Sequence, residues 1–402
     1  MRILFLLTQD LSSPSGLGRY FPLAKELAKL GNELFILALH PDFEHLNKHR
    51  QNISGVDVNY VAPMHVKKSR NVKTYYSPIR LIHQSALATY KLTQASWKIP
   101  VDIIHIGKPH PMNGIAGLVK GIQNNQVYVD CDDDEAGSGV FKSEFQHNII
   151  SWFEKTIPQK ADFVTTNTHY TENRLVNFGV DPNRIIYLSS GVDMDRFHPP
   201  DPKIIKDLRG SLGLSNNRVI AYIGSLSLSS HPVDLLLRAF GQVMQNRPET
   251  KLLVVGGGDD YNNIQDLAFR MGIARSIIFT GHVPAGDVVN YYYLSDMVID
   301  PVLDNRAARG RQPLKLFECW ACGVPYISAP VGDRSQILGS PPAGILAIPG
   351  DSHSLSDAIN QLLDNPQFSD EIRALGKSQI AHYTWDKLAA QLNAVYLKGL
   401  SG

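Results

Sequence analysis

The chain has 402 residues, a formal net charge of +1, 43% hydrophobic residues and 19% charged residues. The balanced charge gives no support for bulk nucleic-acid binding, and the composition is ordinary for a globular protein. The length predicts two domains of about 200 residues, each able to bury a full core. Three cysteines, Cys131, Cys319 and Cys322, cannot build a disulfide framework. We therefore expect buried thiols and a cytoplasmic protein.

The first strand-like run, MRILFLL, is too short for the apolar region of a signal peptide, because polar residues follow it at once. Helix-like and strand-like segments then alternate through both halves of the chain, which predicts right-handed βαβ units and doubly wound parallel sheets. The strand-like runs of the two halves include ILFLL, ELFILAL, DIIHI and QVYVD, and then VIAYIG, KLLVVGGG, SIIFTG and MVIDPV. Two such sheets in tandem predict a cleft between two domains.

The loop SPSGLGRY follows the first predicted strand and carries Gly16 and Gly18 just before a helix. Glycines at this place let the backbone approach an anion such as a phosphate. An isolated GxG is a weak signal, and its alternative is a plain strand-to-helix turn.

Residues 67–98 contain seven Lys or Arg and no acid, interleaved with aromatic residues. This pattern permits contact with an anionic membrane surface, and a solvated helical face explains it at least as well. No stretch reaches the roughly 18 apolar residues of a membrane span, so the predicted contact is peripheral.

Two polar segments follow predicted strands of the first half, at the sheet edge where α/β proteins bind ligands. The segment DIIHIGKPHP at 102–111 offers His110 on a polar loop and His105 inside the strand, where it is better explained as a sheet residue. The run DCDDDE at 130–135 permits a metal site, but we favour acids that position hydroxyl groups or solvate a loop.

The domain boundary is predicted near HPPDPK at 198–203, where three prolines precede a new helix-like run. We assign residues 1–198 to the first domain and 199–382 to the second. The end of the chain, from about residue 383 to 402, is strongly helical.

The segment PLKLFECWACGVP at 313–325 predicts a short helix that starts after a proline and ends at Gly323. Lys315 and Glu318 lie one turn apart on it. The start of such a helix suits a phosphate, and a carboxylate one turn further suits ribose hydroxyls. The alternative is an ordinary surface ion pair between these two residues.

The segment PLKLFECWACGVPYISAPVGD resembles the nucleotide-sugar motif of family 4 (group 1) retaining glycosyltransferases. Four other stretches resemble that family in the same order: the Gly16/Gly18 loop, SSGVDMDRFHP at 189–199, AYIGSLS, and residues 280–302. The resemblance implies the GT-B fold, in which two Rossmann-like domains face a cleft and the C-terminal helix crosses back onto the N-terminal domain. It places the donor near Gly224, Ser225 and Leu314, with backbone contacts to the base near Val283.

The chain departs from the family pattern at three positions. Ser225 stands where the family commonly has an arginine that grips the diphosphate, and Ser230 or His231 stands where it has a lysine. Gly310 replaces the first of two glutamates spaced eight apart, and Gly107 replaces a histidine that contacts the reacting sugar. We therefore expect Arg311 and Lys315, from a loop that also carries Arg306 and Arg309, to bind the diphosphate, and His110 to take the histidine's role.

The resemblance implies a metal-independent hexosyltransferase that uses no cofactor and requires no protein nucleophile. The resemblance implies transfer with retained configuration, with UDP-glucose as the favoured donor, to a glycan or lipid-linked hydroxyl in exopolysaccharide or glycolipid synthesis. Glu318 would bind the ribose, and Arg311 and Lys315 would stabilise the leaving diphosphate. The alternatives are a nucleotide-sugar-binding protein without activity and, less favoured, a sugar-nucleotide epimerase.

Overall fold

The structure is a computed structural model that describes residues 1–69, 72–138 and 143–401. Arg70 of the predicted basic segment lies outside the described residues, as do the side chains of Lys68, Lys73 and Tyr75. The strands within the described residues are β1 Arg2–Leu7, β2 Glu33–His40, β3 Arg50–Ile53, β4 Val56–Pro63, β5 Val66–Ser69, β6 Val72–Tyr75, β7 Ile103–Gly107, β8 Gln126–Cys131, β9 Phe163–Thr166, β10 Ile185–Tyr187, β11 Val219–Ile223, β12 Lys251–Val255, β13 Ile277–Gly281, β14 Met297–Ile299, β15 Tyr326–Ser328 and β16 Ile345–Leu346.

The α-helices cover the faces of the sheets and connect most of the strands. They are α1 Phe21–Lys29, α2 Pro78–Trp97, α3 Pro111–Gly121, α4 Glu144–Lys160, α5 His169–Asn177, α6 Pro202–Ser211, α7 Val233–Asn246, α8 Tyr261–Arg270, α9 Val288–Leu294, α10 Arg306–Arg309, α11 Leu314–Cys322, α12 Arg334–Leu338, α13 Ser352–Asp364, α14 Pro366–Gln379 and α15 Trp385–Ser401. None of these helices is both long enough and apolar enough to span a bilayer.

The first sheet has eight strands in the order β10-β9-β8-β7-β1-β2-β4-β3. All its pairs are parallel except β3 with β4 at one edge, and β5 pairs with β6 in a separate antiparallel hairpin. The strand order reverses between β1 and β7, and the crevice beyond the carboxyl ends of such neighbouring strands is where open α/β sheets bind ligands. The loops that follow β1 and β7 therefore border a candidate site.

The second sheet has six parallel strands in the order β13-β12-β11-β14-β15-β16. This is the strand order 3-2-1-4-5-6 of a dinucleotide-binding fold. Its reversal lies between β11 and β14, so the loops after these two strands border the second half of the site. The tandem doubly wound architecture predicted from the alternating apolar runs is confirmed.

The last helix, α15, returns to the first domain as the resemblance implied. Its Leu388, Leu392 and Tyr396 are buried in the core that also contains β1 residues. The Tyr396 hydroxyl lies 2.6 Å from Nδ1 of His105, which is fully buried in β7. Burial lowers the pKa of His105 to about 4, so its ring is neutral and belongs to the core. The exact boundaries at 198/199 and 382/383 stay predictions.

Candidate functional site

Helix α11 has the ends that the sequence predicted. Pro313 is its N-cap residue, and Gly323 ends it with a φ of 64°, in the left-handed region that favours glycine. Cys319 and Cys322 are buried as free thiols on this helix, and burial raises the pKa of both. The N–H groups of Leu314 and Lys315 at its start have no acceptor one turn earlier in the helix, because the helix begins there.

The glycine loop of the first domain lies directly against the start of α11. A Cβ atom on Gly18 would come within 2.4 Å of Leu314 Cδ1, so a larger residue at position 18 would force the Leu314 side chain to move. A Cβ atom on Gly16 would lie 2.2 Å from the Asp10 carbonyl oxygen, so that glycine is needed for packing within its own loop. The structure thus brings Gly18 and Leu314 together across the domain interface, while Gly16 packs within its own loop.

Lys315 is buried where α11 meets the loop after β11. Its Nζ lies 2.8 Å from Asp300 Oδ1 and 4.4 Å from the centre of the Tyr222 ring. Gly224 lies beside it, since a Cβ there would be 3.6 Å from Lys315 Nζ. Burial acts to lower the pKa of Lys315, but the attraction of Asp300 outweighs it and the net pKa is raised. Lys315 is therefore a fixed cation.

Arg311 is the second cation near the start of α11. Its Nη1 donates to the Ser230 carbonyl oxygen at 3.3 Å, and its Nε lies 3.6 Å from Asp133 Oδ1 of the first domain. The other two arginines of the loop point elsewhere: Arg306 pairs with Asp134, and Arg309 pairs with Asp304.

The positions that depart from the family pattern carry no positive charge. Ser225 is exposed beside Gly224, and its carbonyl oxygen accepts a hydrogen bond from the Tyr222 hydroxyl at 2.7 Å. Burial, with Lys315 and Arg311 nearby, lowers the pKa of His231 to about 3 and keeps its ring neutral. The positive charge among these residues therefore comes from Arg311 and Lys315.

Glu318 lies one turn beyond Lys315 and accepts a hydrogen bond from the Tyr292 hydroxyl at 2.5 Å. Burial raises the pKa of its carboxyl group, and the Tyr292 hydrogen bond, Arg196 and Lys315 oppose this rise. Because Lys315 pairs with Asp300, the surface ion pair between Lys315 and Glu318 is not formed. We refer to Arg311, Lys315, Glu318 and the start of α11 as the basic wall. Val283 is buried in the core of the same domain, so only its backbone is placed for contacts.

The opposite side of the cleft, which we call the acidic wall, consists of Lys108, His110, Asp132, Asp133 and Glu135. Lys108 Nζ lies 3.4 Å from Asp132, 2.6 Å from Asp133 and 2.5 Å from Glu135. Burial acts to lower the pKa of Lys108, but the three carboxylates raise it well above its ordinary value. Its φ of 69° is rare for a residue with a side chain and is typical of functional sites. Sequence reasoning missed Lys108, because its partners follow a different strand.

The acids on this wall differ in protonation. Burial raises the pKa of Asp132 to about 7, with Lys108 opposing the rise. For Glu135 the attraction of Lys108 and His110 outweighs burial, and its pKa falls to about 2. Burial also lowers the pKa of His110, whose Nε2 lies 3.9 Å from Glu135 Oε2, so this histidine is neutral at pH 7. Within residues 1–69, 72–138 and 143–401, no three His, Cys, Asp or Glu side chains are arranged to hold a metal ion.

Gly310 fits closely against the first domain. A Cβ there would come within 3.0 Å of the Asp134 Cβ and 3.1 Å of the Asp134 backbone nitrogen. The side chain of Asp134 is fully buried between Arg174 and Arg306. Hence a side chain at position 310 would crowd the acidic segment at Asp134.

Two sequence profiles match the chain. Residues 16–196 match Glycosyltransferase Family 4, and residues 217–365 match Glycosyl transferases group 1. The chain belongs to the group 1, family 4 glycosyltransferases. The two matches cover most of both domains, and the family resemblance of the five sequence stretches is confirmed.

Curated relatives and solved structures agree with this assignment. A D-inositol 3-phosphate glycosyltransferase from Corynebacterium aurimucosum is 27% identical over 260 residues, which are 62% of this chain and 59% of the relative. A GDP-mannose-dependent phosphatidylinositol monomannoside mannosyltransferase from Corynebacterium glutamicum is 25% identical over 73% of this chain and 76% of the relative. The structure of Anabaena HepE in complex with UDP-glucose covers 100% of this glycosyltransferase and 99% of HepE, with a TM-score of 0.74 at 18% identity. The structural likeness shows the GT-B fold.

Proposed function

We propose that this glycosyltransferase transfers a hexose from a nucleotide diphosphate sugar to a hydroxyl acceptor with retained configuration and without a metal. The observation that carries the proposal is the meeting of Arg311, Lys315 and the start of α11 at the cleft. Fixed cations and helix N–H groups stabilise the negative charge that a departing diphosphate develops. Glu318, one turn further along α11, is placed to accept hydrogen bonds from the ribose hydroxyls.

The proposed roles of the site residues follow from their positions. Gly224 leaves space for the diphosphate beside Lys315, and Gly18 lets the backbone of its loop lie against Leu314 at the start of α11. Exposed Ser225 offers a hydroxyl to a phosphate oxygen, and the backbone at Val283 offers contacts to the base. On the acidic wall, His110 is uncharged and therefore suited to a hydrogen bond with the reacting sugar.

UDP-glucose is the donor that we propose. HepE, which shares the fold over its full length, has been described in complex with UDP-glucose, whereas the mannosyltransferase relative depends on GDP-mannose. The donor panel should therefore include UDP, GDP and ADP with their glucose, mannose, N-acetylglucosamine and glucuronate conjugates.

The proposed acceptor is a glycan or lipid-linked hydroxyl, and the proposed location is the cytoplasmic face of a membrane. Helix α2 supports this, because Ile79, Ile82, Tyr90 and Trp97 are exposed on it with exposed fractions of 83%, 63%, 58% and 47%. Arg80 and Lys91 lie on the same helix beside aromatic rings. Apolar and basic side chains together suit an anionic bilayer surface. We expect the protein to co-sediment with phosphatidylglycerol vesicles but not with phosphatidylcholine vesicles. Failure to co-sediment with either type of vesicle would overturn the proposed membrane contact.

The donor proposal is tested by thermal-shift measurements with the panel, on the wild type and on Glu318→Ala. A ligand that binds only the folded state raises the melting temperature. We expect one sugar nucleotide to give the largest shift and Glu318→Ala to lose it, whereas Glu371→Ala, an exposed control acid, keeps it. No shift with any compound would overturn the transferase proposal. Nuclear magnetic resonance of the product's anomeric proton then decides between retention and inversion.

A further inference from the structure

Asp133 lies at the point where the acidic wall meets the basic wall. Its Oδ2 is 2.6 Å from Lys108 Nζ in its own domain, and its Oδ1 is 3.6 Å from Arg311 Nε across the cleft. About a quarter of its side chain is exposed, 26%. One carboxylate thus bridges a cation of each domain and still has an open face.

The neighbouring acids are engaged differently. Asp132 is buried beside Lys108, and Asp134 is fully buried between Arg174 and Arg306. Glu135 contacts Lys108 and His110 within its own domain. Asp133 is both partly exposed and within 3.6 Å of Arg311, a cation of the basic wall.

The absence of a side chain at Gly310 allows this arrangement. A Cβ at position 310 would press on the Cβ and backbone nitrogen of Asp134, so the glycine lets the acidic segment pack closely beside Arg311. Gly310 itself supplies no carboxylate beside Arg311. The carboxylate beside Arg311 belongs to Asp133 of the first domain.

We propose that Asp133 binds a hydroxyl group of the sugar that is transferred. This inference rests on the proposed function, in which Arg311 binds the diphosphate. The sugar of a nucleotide diphosphate sugar is bonded directly to the distal phosphate, so a group within ion-pair distance of Arg311 on the facing wall lies beside that sugar. When the phosphate takes the place of Asp133 at Arg311, Oδ1 becomes available to accept a hydrogen bond from the hydroxyl, while Lys108 holds Oδ2.

Calorimetric titration of the wild type and Asp133→Asn with a nucleotide and its sugar conjugate tests this proposal. The pair used is the one that binds the wild type, UDP and UDP-glucose by our expectation. Removal of the charge beside Arg311 strengthens phosphate binding for both ligands, whereas loss of the hydroxyl contact weakens only the sugar conjugate. The ratio Kd(UDP)/Kd(UDP-glucose) cancels the first effect, and we expect it to fall about tenfold in Asp133→Asn.

The matched control is Asp304→Asn, which removes an exposed carboxylate paired with Arg309 and should leave the ratio unchanged. If Asp133→Asn does not fold, Asp133→Glu keeps the charge, displaces the carboxylate and should lower the same ratio. An unchanged ratio with both ligands bound more tightly would show that Asp133 is only a counter-ion of Arg311 and overturn the inference. An unchanged ratio with a raised acceptor KM would overturn it in favour of acceptor binding. A wild type that binds no sugar nucleotide would overturn the proposed function itself.

Discussion

At the basic wall two cations share one carboxylate, whereas on the acidic wall one lysine contacts three carboxylates. Lys315 and Arg334 together hold one carboxylate, Asp300, whose pKa they depress despite its burial. On the acidic wall, the single cation Lys108 contacts three carboxylates, those of Asp132, Asp133 and Glu135. The basic wall thus retains positive charge for an anion, and the acidic wall retains acceptor oxygens for hydroxyl groups. The proposed reaction moves a sugar from a diphosphate leaving group to a hydroxyl acceptor, and this division suits both groups.

The largest effect on this comparison is expected from Lys108→Met, which removes the cation of the acidic wall. Breaking a buried ion pair by deleting one partner costs about 3–5 kcal/mol, and here several carboxylates lose the same partner. Urea unfolding at pH 7 should show that the free energy of unfolding decreases by about 3–5 kcal/mol. The matched control is Lys29→Met, because the Lys29 side chain is 55% exposed in its pair with Glu26. This substitution should lower the free energy of unfolding by less than about 1 kcal/mol. Equal costs for the two variants would contradict the account of the acidic wall.

Arg311→Ala tests the basic wall in the same way. Removal of one preorganised group that stabilises developing charge lowers kcat by about 100-fold or more, so we expect kcat/KM for the donor to fall by a similar factor. Arg309→Ala removes the same charge from the same loop, at a residue half exposed and paired with Asp304. Steady-state kinetics should leave Arg309→Ala within about twofold of the wild type. A comparable loss in both variants would mean that the loop acts only through its net charge.

Asp132→Asn tests the unequal protonation of the acidic wall through the pH dependence of stability. Burial raises the pKa of Asp132 to about 7, so ionisation of this carboxyl destabilises the folded state as pH rises from about 4 to 7. An asparagine does not ionise, and the variant should gain stability relative to the wild type across that interval. We expect the gain to be on the order of 1 kcal/mol at pH 8, because the lost Lys108 contact offsets part of it. Thermal melts from pH 4 to pH 8 measure it, and a stability difference that is flat with pH would refute the assigned pKa.

The smallest expected effect is that of Tyr292→Phe, which removes the hydrogen bond that helps Glu318 to ionise. Burial raises the pKa of Glu318 and the Tyr292 hydroxyl opposes this rise, so the variant should have a still higher pKa. Donor affinity should fall about threefold at pH 7. As the pH is lowered, the donor affinity of the variant should begin to decrease at a higher pH than that of the wild type. Titrations between pH 5.5 and 8 would show the displacement. If the pH profile of the variant coincides with that of the wild type, the ionisation of Glu318 does not control donor affinity.

The parts of the site that the sequence predicted are those with local signals. The proline before Leu314 and the glycine after Cys322 determine both ends of α11, and the helical period then places Lys315 and Glu318 one turn apart. The alternation of apolar runs likewise predicted two doubly wound sheets. Short polar strands such as β3, with its sequence RQNI, carry no apolar run and were not predicted.

The parts that the sequence did not predict depend on residues far apart in the chain. Lys108 precedes a proline and has no distinctive pattern of its own; its partners begin after the next strand. The packing of Gly310 against Asp134 depends on how the two domains meet. The partner of Lys315 is Asp300, at the end of a neighbouring strand, and no local pattern in the sequence indicated this pair.

The most direct test of the account is the affinity of wild type and Lys315→Met for UDP-glucose, measured by calorimetry in the presence of EDTA. The account predicts that the wild type binds equally well with EDTA and with added magnesium, and that Lys315→Met weakens binding by about 100-fold because a buried cation is lost from the diphosphate site. Binding that requires magnesium, or Lys315→Met binding as tightly as the wild type, would contradict the central claim that the basic wall holds the donor.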